Sequence, residues 1–91
     1  MALLDDVKKV LKVTRTEQDT EITDLILACK KDLVISGIDA SFDETDPLIK
    51  RAITIYCKAH YGYDNQDAEK LERAYLSLKT HLMMSSDYAV D

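Results

Sequence analysis

Residues 46–61 read Asp-Pro-Leu-Ile-Lys-Arg-Ala-Ile-Thr-Ile-Tyr-Cys-Lys-Ala-His-Tyr, and this stretch decides the fold class. Asp46 is a favourable N-cap, and Pro47 suits the first helical position, where its missing amide hydrogen would have no partner. The apolar spacing that follows predicts a helix over 47–61, which Gly62 ends. The predicted buried stripe of this helix is Ile49, Ala52, Ile53, Tyr56 and His60.

Three further amphipathic segments surround this helix, and no segment alternates apolar and polar residues for long enough to indicate a strand. The predicted fold is therefore all-α: a single small domain of four helices with a loose C-terminal tail over 85–91, where the periodicity stops. The predicted helices cover 2–13, 17–36, 47–61 and 65–84.

Local signals predict how the flanking helices begin and end. Thr16 is the expected N-cap of the second helix, and Asp64 or Asn65 that of the fourth, because these side chains accept hydrogen bonds from free first-turn amides. Gly37 is the expected residue just past the second helix, since glycine adopts the left-handed conformation without a Cβ clash, and Ile38 supplies the apolar contact after it.

Composition narrows the possible functions of the chain. It has 91 residues, 12 Lys and Arg against 17 Asp and Glu, and a net charge of −5. Duplex nucleic acid is bound by basic surfaces, so a DNA-gripping role is disfavoured, and Lys8, Lys9 and Lys12 are interpreted as a solvated helix end. No apolar run is long enough to span a bilayer, and the first residues do not resemble a signal peptide. Synthesis in the cytoplasm and reduced cysteines are therefore expected.

Candidate catalytic and metal-binding residues are few. Cys57 and His60 lie three apart on one helix, but no oxyanion-binding turn accompanies them, so packing is the preferred interpretation of this cysteine. The possible zinc ligands are scattered over three helices without a paired motif, and the acidic connector lacks the spacing of a calcium loop. No cofactor, metal or catalytic residue is predicted. The ligand candidates weighed are Cys29, Cys57, His60 and His81 for zinc, and Asp39, Asp43, Glu44 and Asp46 for calcium.

Exposed aromatic and methionine side chains are the candidates for partner contact. Tyr61 and Tyr63 flank the break at Gly62, and tyrosine is enriched at protein interfaces, although these rings would equally well cover the end of the bundle. Met83 and Met84 end the fourth helix, and flexible methionine side chains serve either as an adaptable contact surface or as core filling.

The order of several short segments resembles the head–tail connector, or adaptor, proteins of tailed bacteriophages, which are also labelled DNA packaging proteins. The opening Leu3-Leu4-Asp5-Asp6-Val7-Lys8 resembles the first helix of that family, and Asp46-Pro47-Leu48-Ile49-Lys50-Arg51-Ala52-Ile53 the start of its third. The most specific similarity is Lys58-Ala59-His60-Tyr61-Gly62-Tyr63-Asp64-Asn65, followed by Tyr75-x-x-Leu78-Lys79-x-His81-Leu82.

This resemblance implies a structural virion protein without enzymatic activity, at the interface between head and tail. It implies a ring of about twelve copies below the portal protein that continues the DNA channel without sequence-specific binding, and whose symmetry the portal sets. It also implies a tail-side connector or stopper protein as a partner, no membrane contact, and a C-terminal tail that orders on the portal through Met83, Met84 and Tyr88. The long second helix is expected to supply part of one ring contact.

Other classes of function remain open on the sequence alone. The main alternative is a small cytosolic helical interaction or regulatory module, which would share the acidic charge and the amphipathic helices. A helix-turn-helix DNA binder comes next and predicts salt-dependent duplex binding. An enzyme comes last, because no polar side chains converge.

Overall fold

The computed structural model describes residues 3–62 and 66–90, and within them the chain forms four α-helices. None of these helices is long and apolar enough to cross a membrane. A single isolated antiparallel bridge, between Ile38 and Ala89, is the only β-type pairing in the described part of the chain. The helices are α1 (Leu3–Leu11), α2 (Asp19–Ile35), α3 (Pro47–His60) and α4 (Ala68–Met83), and a 3₁₀ turn (Thr16–Gln18) precedes α2. The predicted all-α architecture is confirmed.

Helix α3 begins as its sequence predicts and lies at the centre of the domain. The Asp46 carboxylate accepts hydrogen bonds from the amides of Leu48 (2.9 Å) and Ile49 (3.3 Å), and Pro47 occupies the first turn. Helix α3 packs against α1, α2 and α4. Of its predicted buried stripe, Tyr56 is only half-buried, and His60 is exposed, with its Nε2 2.9 Å from Oε2 of Glu72 on α4. The placement of His60 in the core was therefore wrong.

The end of α2 also follows the prediction. Gly37 has a φ of +105°, its amide donates to the carbonyl of Val34 (3.1 Å), and the amide of Ile38 donates to that of Leu33 (3.0 Å). These two bonds form a Schellman motif. Ile38 is 2% exposed, so the expected apolar contact after the glycine is present.

The starts of α2 and α4 differ from the prediction. Thr16 does not cap α2: it opens the 3₁₀ turn, and the α-helix starts at Asp19 after Gln18. Helix α4 begins at Ala68, with Asp67 in the N-cap position, and the predicted caps Asp64 and Asn65 lie outside the described residues.

Helix α1 ends at a residue for which the sequence gives no helix-end signal. Lys12 has a φ of +60°, and the amide of Val13 donates to the carbonyl of Lys8 (2.9 Å). A lysine therefore occupies the left-handed position that glycine usually takes at a helix end. Lys8 itself contacts Asp19 at the start of α2 (2.6 Å), so of the three neighbouring lysines Lys9 and Lys12 are exposed and Lys8 is half-buried.

The core is thin and mostly aliphatic, with Tyr75 as its largest buried side chain. Val7 of α1, Ile22 of α2, Ile53 of α3 and Leu82 of α4 are fully buried, together with both cysteines. The bundle measures 41 × 28 × 18 Å between Cα atoms. In so thin a domain each helix keeps a solvent-facing side, which leaves room for contact surfaces on several sides.

Candidate contact surfaces

The first exposed apolar surface runs along the outer side of α2. Leu27, Val34 and Ile35 are 57%, 45% and 74% exposed, whereas the opposite side of the helix is buried. Burying one such side chain is worth about 1.5–3 kcal/mol, so the exposed apolar positions indicate a contact surface. We define the α2 row as Asp24, Leu27, Lys31 and Val34, which are spaced to share one side of the helix and are all exposed.

The second exposed apolar surface runs along α4. Leu76, Met83 and Met84 are 45%, 41% and 83% exposed, while Tyr75 and Leu82 face the core. The α4 row is Arg73, Leu76, Thr80 and Met83, again exposed and on one side of the helix. Two of the predicted contact residues, Met83 and Met84, therefore belong to or border this surface.

The C-terminal segment lies against the connector between α2 and α3. It forms no helix, in agreement with the missing periodicity, but its described residues are not detached from the domain. The amide of Asp39 donates to the carbonyl of Tyr88 (2.8 Å), and the amide of Val90 donates to that of Gly37 (2.7 Å). The Tyr88 ring packs on Phe42, with centroids 4.6 Å apart. The predicted contact residue Tyr88 is thus half-buried on its own chain.

The predicted contact residues do not form one site. Tyr61 follows the last residue of α3, and its hydroxyl donates to Gln18 Oε1 (3.3 Å). Tyr88 lies at the other end of α3, where its hydroxyl bonds to Asp46 (3.0 Å). Because α3 has 14 residues, these two ends are about 21 Å apart. Tyr63 lies outside the described residues.

A network of polar side chains links α2 to α4. The Tyr75 hydroxyl donates to Asp32 Oδ2 (2.6 Å), and the Lys79 ammonium donates to the same oxygen (2.9 Å). The thiol of Cys29 donates to the Tyr75 oxygen (3.7 Å). Desolvation opposes ionisation of Asp32, but the bonds from Tyr75 and Lys79 outweigh it and lower its pKa. Sequence reasoning missed this network because its members are distant in the chain.

The geometry around Cys57 is not that of a nucleophile. Cys57 is fully buried whereas His60 is exposed, so the two side chains face different surroundings. Burial raises the pKa of the Cys57 thiol to about 11, whereas a reactive cysteine needs a lowered value. In residues 3–62 and 66–90, no three His, Cys, Asp or Glu side chains come close enough together to hold a metal ion.

The acidic connector uses its carboxylates locally. Asp39 accepts from the Ser41 amide (2.9 Å), and Asp43 accepts from the amide and hydroxyl of Thr45 (2.9 and 2.6 Å), which lowers the pKa of both groups. Glu44 pairs with Lys30 of α2 (2.9 Å). These bonds shape turns and fasten the connector to α2.

Comparison with known proteins identifies the family. No curated protein and no solved structure gave a match. The family of phage connector proteins, however, matches residues 3–89, almost the whole chain, including all four helices and most of the C-terminal segment. The chain therefore belongs to the phage connector protein family, whose role is that of a structural head–tail connector.

Proposed function

We propose that this chain is the subunit of a ring of about twelve copies, which binds below the portal protein and continues the DNA channel toward the tail. The observation that carries the proposal is the family match over residues 3–89. The protein would be made in the host cytoplasm and reside in the virion. Its role would be structural, and a tail-side connector or stopper protein would bind the far side of the ring.

The two exposed rows support assembly into a ring. A heterologous ring requires two different patches on each subunit, one for each neighbour. The α2 row and the α4 row are two such patches, because they lie on different helices and each is exposed while the opposite side of its helix is buried.

The charge of the chain supports passage of DNA. About twelve copies at −5 give a ring on the order of −60, which repels the phosphate backbone. DNA would slide through such a channel without sequence-specific contact. A strongly basic inner surface in an assembled ring would contradict this part of the proposal.

The two ends of α3 support separate binding surfaces for the two axial partners. Met83, Met84 and Tyr88 are proposed to contact the portal, with Met84 as the most exposed of them. Tyr61 and Tyr63 are proposed to contact the tail-side protein, since Tyr61 lies at the opposite end of α3.

The test mixes the purified chain with the portal ring encoded by the same phage, followed by electron microscopy and native mass spectrometry. We expect the chain to add in portal-matched stoichiometry. Met84→Ser should weaken binding about fivefold, by removing apolar area from the contact. The matched control is Val10→Ser, an exposed apolar position on α1 outside the proposed surfaces.

Truncation after Ser85 should also weaken portal binding while the helical content stays intact. Failure of the chain to bind the portal would contradict the proposed contact. Unchanged binding by the Met84→Ser variant or by the truncated chain would also contradict it. Salt-dependent binding to duplex DNA instead would indicate a DNA-binding protein.

A further inference from the structure

We infer that the α2 row of one copy packs in parallel along the α4 row of the next copy, an inference that rests on the proposed ring. Both rows have the same spacing of three, four and three residues, so they present side chains at matching heights. Laid side by side in the same direction, they form four facing pairs: Asp24 with Arg73, Leu27 with Leu76, Lys31 with Thr80, and Val34 with Met83.

The parallel direction follows from the chemistry of these pairs. Opposite charges meet in the first pair, Asp24 with Arg73. The second and fourth pairs are apolar, and in the third pair Lys31 faces the hydroxyl of Thr80. Apolar area then supplies affinity, and the ion pair fixes the register.

In the antiparallel direction, every facing pair would join side chains of different chemical character. An antiparallel arrangement would place Asp24 against Met83 and Arg73 against Val34, so both charges would lose water to apolar side chains. It would also place Lys31 against Leu76.

Pairing of like rows is also disfavoured. Two parallel α2 rows would set Asp24 against Asp24, and two parallel α4 rows would set Arg73 against Arg73, and like charges that face each other repel. A contact between different rows is the arrangement that generates a ring rather than a twofold dimer.

The fold allows the parallel contact. Within one chain, contacts between α2 and α4 advance in the same order along both helices, from Cys29 with Tyr75 to Asp32 with Lys79. The two helices therefore run in the same direction. Rotation about an axis along the helices preserves that direction, so the α4 of a neighbouring copy would also run parallel to α2.

The present partner of Arg73 does not prevent the contact. Arg73 lies 3.6 Å from Glu69, and both side chains are more than two-thirds exposed. An exposed pair of this kind contributes little to stability, so the guanidinium can turn toward a carboxylate on the next copy.

Charge reversal tests the register. Asp24→Arg and Arg73→Glu should each weaken the contact between copies about two- to fivefold, and the double variant should restore it. The readout is the number of subunits bound per portal ring over a concentration series. The matched control is Lys9→Glu, which makes the same charge change as Arg73→Glu at an exposed position on α1.

Cross-linking tests the contact directly. A chain carrying Leu27→Cys and Leu76→Cys, assembled on the portal and treated with a short bismaleimide, should give a ladder of covalent multimers. Either cysteine alone should give none, and the native cysteines are buried.

Two results would overturn this contact: the double cysteine variant gives only monomers, or the double charge reversal weakens assembly as much as each single one. If the unmodified chain still binds the portal, the proposed function stands. Failure of the unmodified chain to assemble on the portal would overturn both.

Discussion

The Tyr88 hydroxyl donates a hydrogen bond to the Asp46 carboxylate, the same group that caps α3 (3.0 Å to Oδ2). One side chain of the C-terminal segment is thereby tied to the start of the central helix, 42 residues away in sequence. The segment proposed to meet the portal therefore begins from a docked position on its own chain, and its release becomes measurable.

Tyr88→Phe should loosen this segment without unfolding the helices. The ring would keep its contact with Phe42, but the donor to Asp46 would be lost. The amides of Asp39 and Val90, which are bonded between the segment and the connector, should then exchange with deuterium faster. Hydrogen-exchange mass spectrometry measures this effect. Tyr61→Phe, at the other end of α3, is the control, and unchanged exchange in Tyr88→Phe would show that the hydroxyl does not hold the segment.

Tyr75→Phe should destabilise the fold by about 1–3 kcal/mol, because Asp32 loses a donor and the Cys29 thiol loses an acceptor in a largely buried place. Chemical denaturation measures the change. Tyr61→Phe removes a longer and less buried hydrogen bond, 3.3 Å against 2.6 Å, and should have a smaller effect. Equal losses in the two variants would mean that the network adds nothing beyond an ordinary surface bond.

Lys12→Gly should stabilise the chain by about 0.5–1 kcal/mol, because a side chain in the left-handed region is strained and glycine is not. Lys9→Gly, three residues earlier and inside α1, should destabilise the chain by about 1 kcal/mol, since glycine lowers helix propensity there. Thermal unfolding distinguishes the two. A fall in Tm for both variants would contradict the strain at Lys12.

Stability should fall as the pH rises from about 9 toward 12. Burial raises the pKa of Cys29 from 9.0 to about 12 and that of Cys57 from 9.0 to about 11. Both thiols stay protonated in the folded chain at a pH where they ionise in the unfolded chain. Their contribution is therefore complete below pH 9 and is lost as the pH passes through the raised values.

Urea titrations between pH 7 and 11 measure this dependence. A variant with Cys29→Ala and Cys57→Ala should show a shallower decline, whatever its stability at neutral pH. Iodoacetamide should label both cysteines only after unfolding. Labelling of the folded chain at pH 8, or equal slopes for the two proteins, would contradict the burial of the thiols.

The elements that sequence reasoning predicted well depend on local signals. Asp46 caps α3 and Gly37 ends α2 because the hydrogen bonds of each motif join residues within six positions of one another. Thr16 misled because it is a favourable capping residue type, whereas in the structure it opens a 3₁₀ turn and the α-helix begins only at Asp19. Lys12 carries no signal, because lysine has no preference for the left-handed conformation that it adopts at the end of α1.

The contacts that sequence reasoning missed depend on how the helices are arranged. The bonds among Asp32, Tyr75 and Lys79 require the relative position of α2 and α4, which no spacing within either helix contains. The outer apolar positions of α2 did have a signal, because Leu27 and Ile35 fall outside the spacing of the buried side of this helix, which is formed by Ile22, Ile26, Cys29 and Leu33. Large aliphatic residues at such off-stripe positions are the sequence pattern of a helix with two apolar sides.

The Asp32 bonds also bear on curvature. A closed ring of about twelve copies must turn by about 30° at every contact, so the angle between the two contacting sides of a subunit determines how many copies fit. In the proposed ring, the bonds from Tyr75 and Lys79 to Asp32 would hold that angle constant, because they link α2 to α4. A subunit without these bonds would still contact its neighbours. Its assemblies, however, would vary in the number of copies and would fit a portal of fixed symmetry poorly.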